Sequence, residues 1–150
     1  MLTWVEINKK ALSFNLQQFR QKVGHGIEII PVIKSNAYGH GFIEVARFCD
    51  TCNLINKIAV VNLAEVLELR KNKIKKPIIV LSFFDFEELA KESKKELKKI
   101  SLPIYDTVTA AKLNNFAIPF PERIYLPLPH GYSLSMEVFS RCNRVGVLLL

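Results

Sequence analysis

The run "IEIIPVI", Ile27–Ile33, limits what this chain can become more than any other stretch. It is apolar almost without a break, so it has no alternate face to turn to water. A strand of that kind is buried on both sides, and such strands belong to parallel sheets covered by helices. The flanking sequence supplies the helices. Asn8 is placed to cap a helix to about Lys22, with Leu12, Leu16, Phe19 and Val23 on one face. Phe42–Asp50 reads as the next helix.

The same alternation continues along the chain. Trp4–Ile7 reads as a short first strand, Ile58–Val61 and Pro77–Leu81 as further strands. Asn62, with Glu65 three residues on, is a capping-box-like start to a helix ending near Lys71. Phe86, Leu89, Ala90, Leu97 and Ile100 share a 3.6-residue spacing that predicts one helix. Leu102–Tyr105 is a weak strand, Thr107–Asn115 a helix and Arg123–Leu126 a strand. A β-α repeat with short loops means parallel strands. Five strands between Ile27 and Leu126 fit an open doubly wound sheet. They equally fit part of a (β/α)8 barrel, which needs eight strands and about 250 residues. Periodicity does not choose between them.

Several function classes drop out. The net charge of +7 gathers in Lys71–Lys76 and Lys91–Lys99. Glu87, Glu88, Glu92 and Glu96 lie in or beside the second run, which makes it a solvated helix face and not a nucleic-acid surface. No apolar stretch is long enough for a membrane span or an export signal. Three cysteines, Cys49, Cys52 and Cys142, without such a signal suggest reduced thiols and a cytoplasmic setting. Cys49 and Cys52 form C-D-T-C, but no second pair completes a zinc site, and Cys49 shares an apolar helix face with Phe42, Val45 and Ala46. No metal is expected. His25 and His130 have no partner at useful spacing and read as loop residues.

Lys34 is the residue with chemistry to explain. It ends the most apolar strand, and active sites of parallel α/β folds gather at the carboxyl ends of strands. An amine against apolar walls loses the solvation that favours a cation. A neutral amine is a nucleophile and forms a Schiff base with an aldehyde. Gly39 and Gly41 allow a sharp turn and a close approach to a ligand. Tyr38 offers a hydroxyl one short loop away, and Ser35, Asn36 and His40 are able to tie the loop down. The next helix begins at about Gly41, and its amino end favours anions. From chemistry alone, a lysine that merely snorkels beside an ordinary turn stays open.

The stretch "VIKSNAYGHG", Val32–Gly41, resembles the pyridoxal-phosphate lysine motif of alanine racemases. "WVEINKKALSFNLQQFR" resembles that family's opening strand and helix, including Asn15. "IAVVNLAEVLELRKNKIKKPIIVL" resembles its next strand, helix and strand, with Glu65, Leu69 and Arg70 in register. The resemblance runs from about Leu2 to Leu126 and implies an α/β fold, a partial (β/α)8 barrel with about five of eight strands present. By that resemblance Lys34 holds pyridoxal 5'-phosphate and acts as the base on one face of the alanine α-carbon. Tyr38 would lie near the cofactor phosphate. The implied reaction interconverts L-alanine and D-alanine, supplying D-alanine for peptidoglycan. In the family a tyrosine from the partner subunit's carboxyl-terminal domain serves the opposite face, and the enzyme is a homodimer.

Beyond Leu126 the pattern changes. Residues 1–126 read as the barrel portion and 127–150 as an irregular, divergent tail. "EVFSRCNRVG", Glu137–Gly146, is the nearest match to a family stretch, and there Arg144, Val145 and Gly146 fit. Arg144 would then touch the cofactor ring hydroxyl. Glu137 stands where the family often has a lysine, while Phe139, Arg141 and Cys142 replace an Asp, a Gly and a Met. The expectation is that these 150 residues alone do not racemise alanine efficiently. Two alternatives remain: a non-catalytic or decayed cofactor-binding fragment, or a racemase or decarboxylase of the same fold acting on another amino acid.

Overall fold

A computed structural model of the protein describes residues 4–91, 97, 99–104, 106–114 and 145–149. Five parallel strands form one sheet: β1 (Glu28–Val32), β2 (Ile58–Val60), β3 (Ile78–Val80), β4 (Ile100–Ser101) and β5 (Val145–Leu149). Their order is β4-β3-β2-β1-β5. The helical elements are α1 (Lys9–Val23), a short turn α2 (Lys34–Tyr38), α3 (Phe42–Thr51), α4 (Leu63–Lys71), α5 (Phe86–Lys91) and α6 (Thr107–Asn114).

β1, β2 and β3 are buried on both faces because their side chains alternate between two apolar layers. Ile29, Ile33, Ile58, Val60, Ile78 and Val80 join the helix-side core with Leu16, Val45, Val66, Leu69 and Leu89. Ile30, Val32, Ala59 and Ile79 form a second cluster on the other face, with Leu81 against it. Each such aliphatic side chain contributes roughly 1.5–3 kcal/mol on burial.

Local chemistry sets the helix limits. Asn8 Oδ1 accepts from the Ala11 amide at 3.0 Å, and the helix ends at Gly24, whose φ of 77° few other residues adopt. Leu16 is the buried residue of α1, with Phe19 and Val23 packed partly against the core. Phe42, Val45, Ala46 and Cys49 form the buried face of α3.

Pro31 shapes the middle of the sheet. Amides of a strand point alternately to its two neighbours. Ile29 and Ile33 donate towards the β2 side, to Asn56 Oδ1 at 2.9 Å and Ala59 O at 3.0 Å. Pro31 lies between them and has no N–H to give. The β1–β2 ladder is accordingly short, registering at Val32↔Ala59, whereas β1 pairs with β5 from Glu28↔Val145 to Val32↔Leu149.

Three expectations need correction. Trp4–Ile7 is not a strand: it is irregular chain with Trp4 and Val5 exposed, and no described strand lies beside it to pair with. Ile100 does not continue the helix begun at Phe86. The described helix is Phe86–Lys91, and Ile100 opens β4 opposite Ile78. The weak strand expected over Leu102–Tyr105 lies earlier, at Ile100–Ser101. The strand expected at Arg123–Leu126 lies outside the described residues. Among the described residues, no helix is long and apolar enough to cross a membrane.

Candidate active site

Lys34 lies one residue beyond the carboxyl end of β1, after Ile33, and is half-buried. Among the described residues its amine has no ion-pair partner within 4 Å, the one such pair being Lys57–Glu28 at 2.9 Å. The chain then does something that composition does not announce. Ser35, Asn36 and Ala37 have φ/ψ of 54°/55°, 57°/37° and 49°/46°, and Tyr38 has φ 55°. The segment is a left-handed turn, a conformation that disfavours an L-residue by roughly 1–2 kcal/mol each. Such strain concentrates at functional sites.

Hydrogen bonds hold the turn in place. The Ala37 amide donates to Ile33 O at 2.9 Å, and the Gly39 and Gly41 amides both reach Asn36 O, at 3.0 and 3.1 Å. Asn36 Oδ1 accepts from the Phe42 amide at 2.8 Å, tying the turn to the first residue of α3. Gly39 and Gly41 have φ of 92° and 95°, as the expected sharp turn requires. A Cβ on Gly41 would also stand 2.8 Å from Glu44 Oε2.

A contact from the next β-α unit completes the arrangement. Glu65, in the first turn of α4, accepts the Ser35 amide on Oε1 at 2.9 Å and the Val61 amide on Oε2 at 2.7 Å. Its own amide donates to Asn62 Oδ1 at 2.9 Å, the expected half of a capping box. The capping-box spacing draws attention to Glu65, but nothing in the sequence shows that its carboxylate reaches the lysine loop.

Tyr38 is 46% exposed. Arg144, Glu137 and His130 lie outside the described residues. His40 is exposed and lines a groove of about 610 Å³ between α1 and the turn, with Asn15, Phe19 and Ala37. Lys34 and Tyr38 do not line that groove. The C-D-T-C pair offers no nucleophile at Cys49: burial, and then the neighbouring Cys52, push its thiol up to about 12.

The donor set suits an aldehyde bearing a phosphate: a primary amine with no ion-pair partner among the described residues, an exposed tyrosine, and a helix start at Phe42 just beyond.

Comparison with known proteins agrees with this frame. A family model described as "Alanine racemase, N-terminal domain" matches residues 7–147. The alanine racemase of Clostridium kluyveri is 40% identical over 114 residues, covering 76% of this chain and 28% of the relative. That of Pectobacterium atrosepticum is 37% identical over 144 residues, covering 95% and 35%. The solved alanine racemase of Clostridium difficile 630 superposes with a TM-score of 0.68 at 38% identity, over 78% of this chain and 31% of that one. A structure from Bacillus anthracis with bound L-Ala-P gives 0.62 at 26% identity, over 77% and 29%. The chain thus spans about a third of the length of the relatives it matches, and its sheet is a partial (β/α)8 barrel. It belongs to the alanine racemase N-terminal domain family.

Proposed function

We propose that this chain carries the part of a pyridoxal-phosphate-dependent alanine racemase, acting on L- and D-alanine, that bears the cofactor lysine. The observation that carries the reading is Lys34 at the end of β1, presented by a left-handed turn in the sequence "KSNAYGHG". When bound, the cofactor supplies an electron sink for the charge left at the substrate Cα. Lys34 Nζ would hold its aldehyde and move the Cα proton on one face. The Tyr38 hydroxyl would bind the phosphate, and Arg144 the ring hydroxyl. The assignment of an opposite-face base to a partner subunit, the homodimer and the cytoplasmic setting belong to the same reading. It is supported by the match over residues 7–147 and by free cysteines at 49 and 52.

The test is a reductive trap. The purified chain is mixed with pyridoxal 5'-phosphate, reduced with borohydride, digested and mapped by peptide mass spectrometry. A pyridoxyl group confined to Lys34, and lost without spread to other lysines in Lys34→Ala, is the expected result. Labelling scattered over surface lysines would overturn the reading. It would favour instead a fragment that retains the motif without a working site, an alternative suggested by the one-third coverage of its relatives.

A further inference from the structure

We infer that Glu65 is a positioning residue for Lys34, an inference that rests on the cofactor role proposed for that lysine. The residues on either side of Lys34 are both tied to the next β-α unit. Before it, the Ile33 amide donates to Ala59 O of β2 at 3.0 Å. After it, the Ser35 amide donates to Glu65 Oε1 at 2.9 Å. The two anchors fix the backbone from which the amine extends.

Glu65 is itself held on three sides. Its amide is on Asn62 Oδ1, its Oε2 accepts from Val61 at the end of β2, and its backbone lies in the first turn of α4. In a capping box a glutamate at this place reaches back to the amide of the capping residue. Here the carboxylate is displaced from that partner. One oxygen takes the amide one residue earlier, and the other crosses to the lysine loop, 30 positions away in sequence. A group serving only its own helix has no reason to cross. Hydrogen bonds to a carboxylate are about twice as strong as neutral ones. The strained turn at Ser35 thereby gains a fixed acceptor where its reversed backbone points an amide outward.

The role separates from ordinary stability by the variants chosen. Glu65→Ala removes both acceptors. Glu65→Gln keeps the shape and one oxygen. Leu67→Ala trims a half-buried side chain of the same helix and leaves the carboxylate alone. Each 150-residue variant chain is reduced with borohydride in the presence of pyridoxal 5'-phosphate, and the Lys34 share of total pyridoxyl label is measured. Melting temperature and amide exchange at Ser35 are recorded without cofactor. The expected result is a fall of about tenfold in Lys34 selectivity for Glu65→Ala and a smaller fall for Glu65→Gln, with faster Ser35 exchange in both. Leu67→Ala should melt lower yet keep the wild-type selectivity. Wild-type protein that labels Lys34 selectively, with Glu65→Ala doing so equally well, overturns the role of Glu65 alone. Unchanged Ser35 exchange in Glu65→Ala also overturns it. Wild-type protein that labels lysines at random overturns the cofactor reading, and this role with it.

Discussion

Ser35 sits at φ 54° and ψ 55° with its side chain in water. Serine is strained there and glycine is not. Ser35→Gly is expected to raise stability by about 0.5–1 kcal/mol, read from the urea midpoint of the chain without cofactor. In an ordinary right-handed helix the same change would lower it, so a lower midpoint would contradict the turn. Asp106 offers a second test at this scale. Its Oδ1 accepts from the Thr109 amide at 2.6 Å at the start of α6. That backbone bond, and next the Thr109 hydroxyl, hold its carboxyl below the ordinary carboxylate value. A depressed value means the stabilisation is present above the unfolded carboxylate's pKa and is lost as pH falls through the folded one. The Thr109 amide shift in an NMR titration should therefore move with a midpoint below that of a free aspartate, and a midpoint at or above it would count against the cap.

At the scale of elements, two arginines do the same work at the amino ends of the strands. Arg20, near the end of α1, donates to Gly24 O at 2.8 Å, to Ile27 O just before β1, and to Leu54 O at 3.1 Å in the loop before β2. Arg70, near the end of α4, donates to Ile74 O at 2.7 Å and Lys76 O at 3.0 Å before β3, and lies 3.5 Å from Lys99 O before β4. Burial lowers the pKa of Arg70, with Asp50 opposing the shift. Arg20→Met and Arg70→Met should each cost about 2–3 kcal/mol in equilibrium unfolding, because carbonyls are left without donors. The carbonyls named for one are not those named for the other, so the double variant should lose the sum to within about 0.5 kcal/mol. Clear non-additivity would refute independent staples. Little of this is legible in sequence. The β-α order, the caps at Asn8 and Asn62 and the lysine at a strand end follow from local rules. The left-handed turn does not, since of Ser35, Asn36, Ala37 and Tyr38 only asparagine favours it. Nor do bonds such as Ser35–Glu65, which depend on how two units meet. Trp4–Ile7 misled because an apolar extended run becomes a strand only beside a neighbour, and Ile100 because a residue at helical spacing can equally open a strand.

For the whole molecule, the edges of the sheet matter most. Among the described residues, no strand lies beyond β4 or β5. Open edges invite pairing with another chain. The purified chain should associate as its concentration rises in sedimentation velocity, and a single monomeric species throughout would show the edges covered. The position of β5 has one more consequence, and it concerns time. About thirty residues separate Val32 from Ala59, but nearly a hundred and twenty separate Glu28 from Val145. Each doubling of a closed loop adds about 0.6 kcal/mol of entropy, so the second pairing begins with about 1.2 kcal/mol more to overcome. During synthesis, β1 through β4 are complete well before residues 145–149 exist. The strand that leads into the lysine thus waits with one flank open, and it is β5, made later, that turns it from an edge into an interior strand.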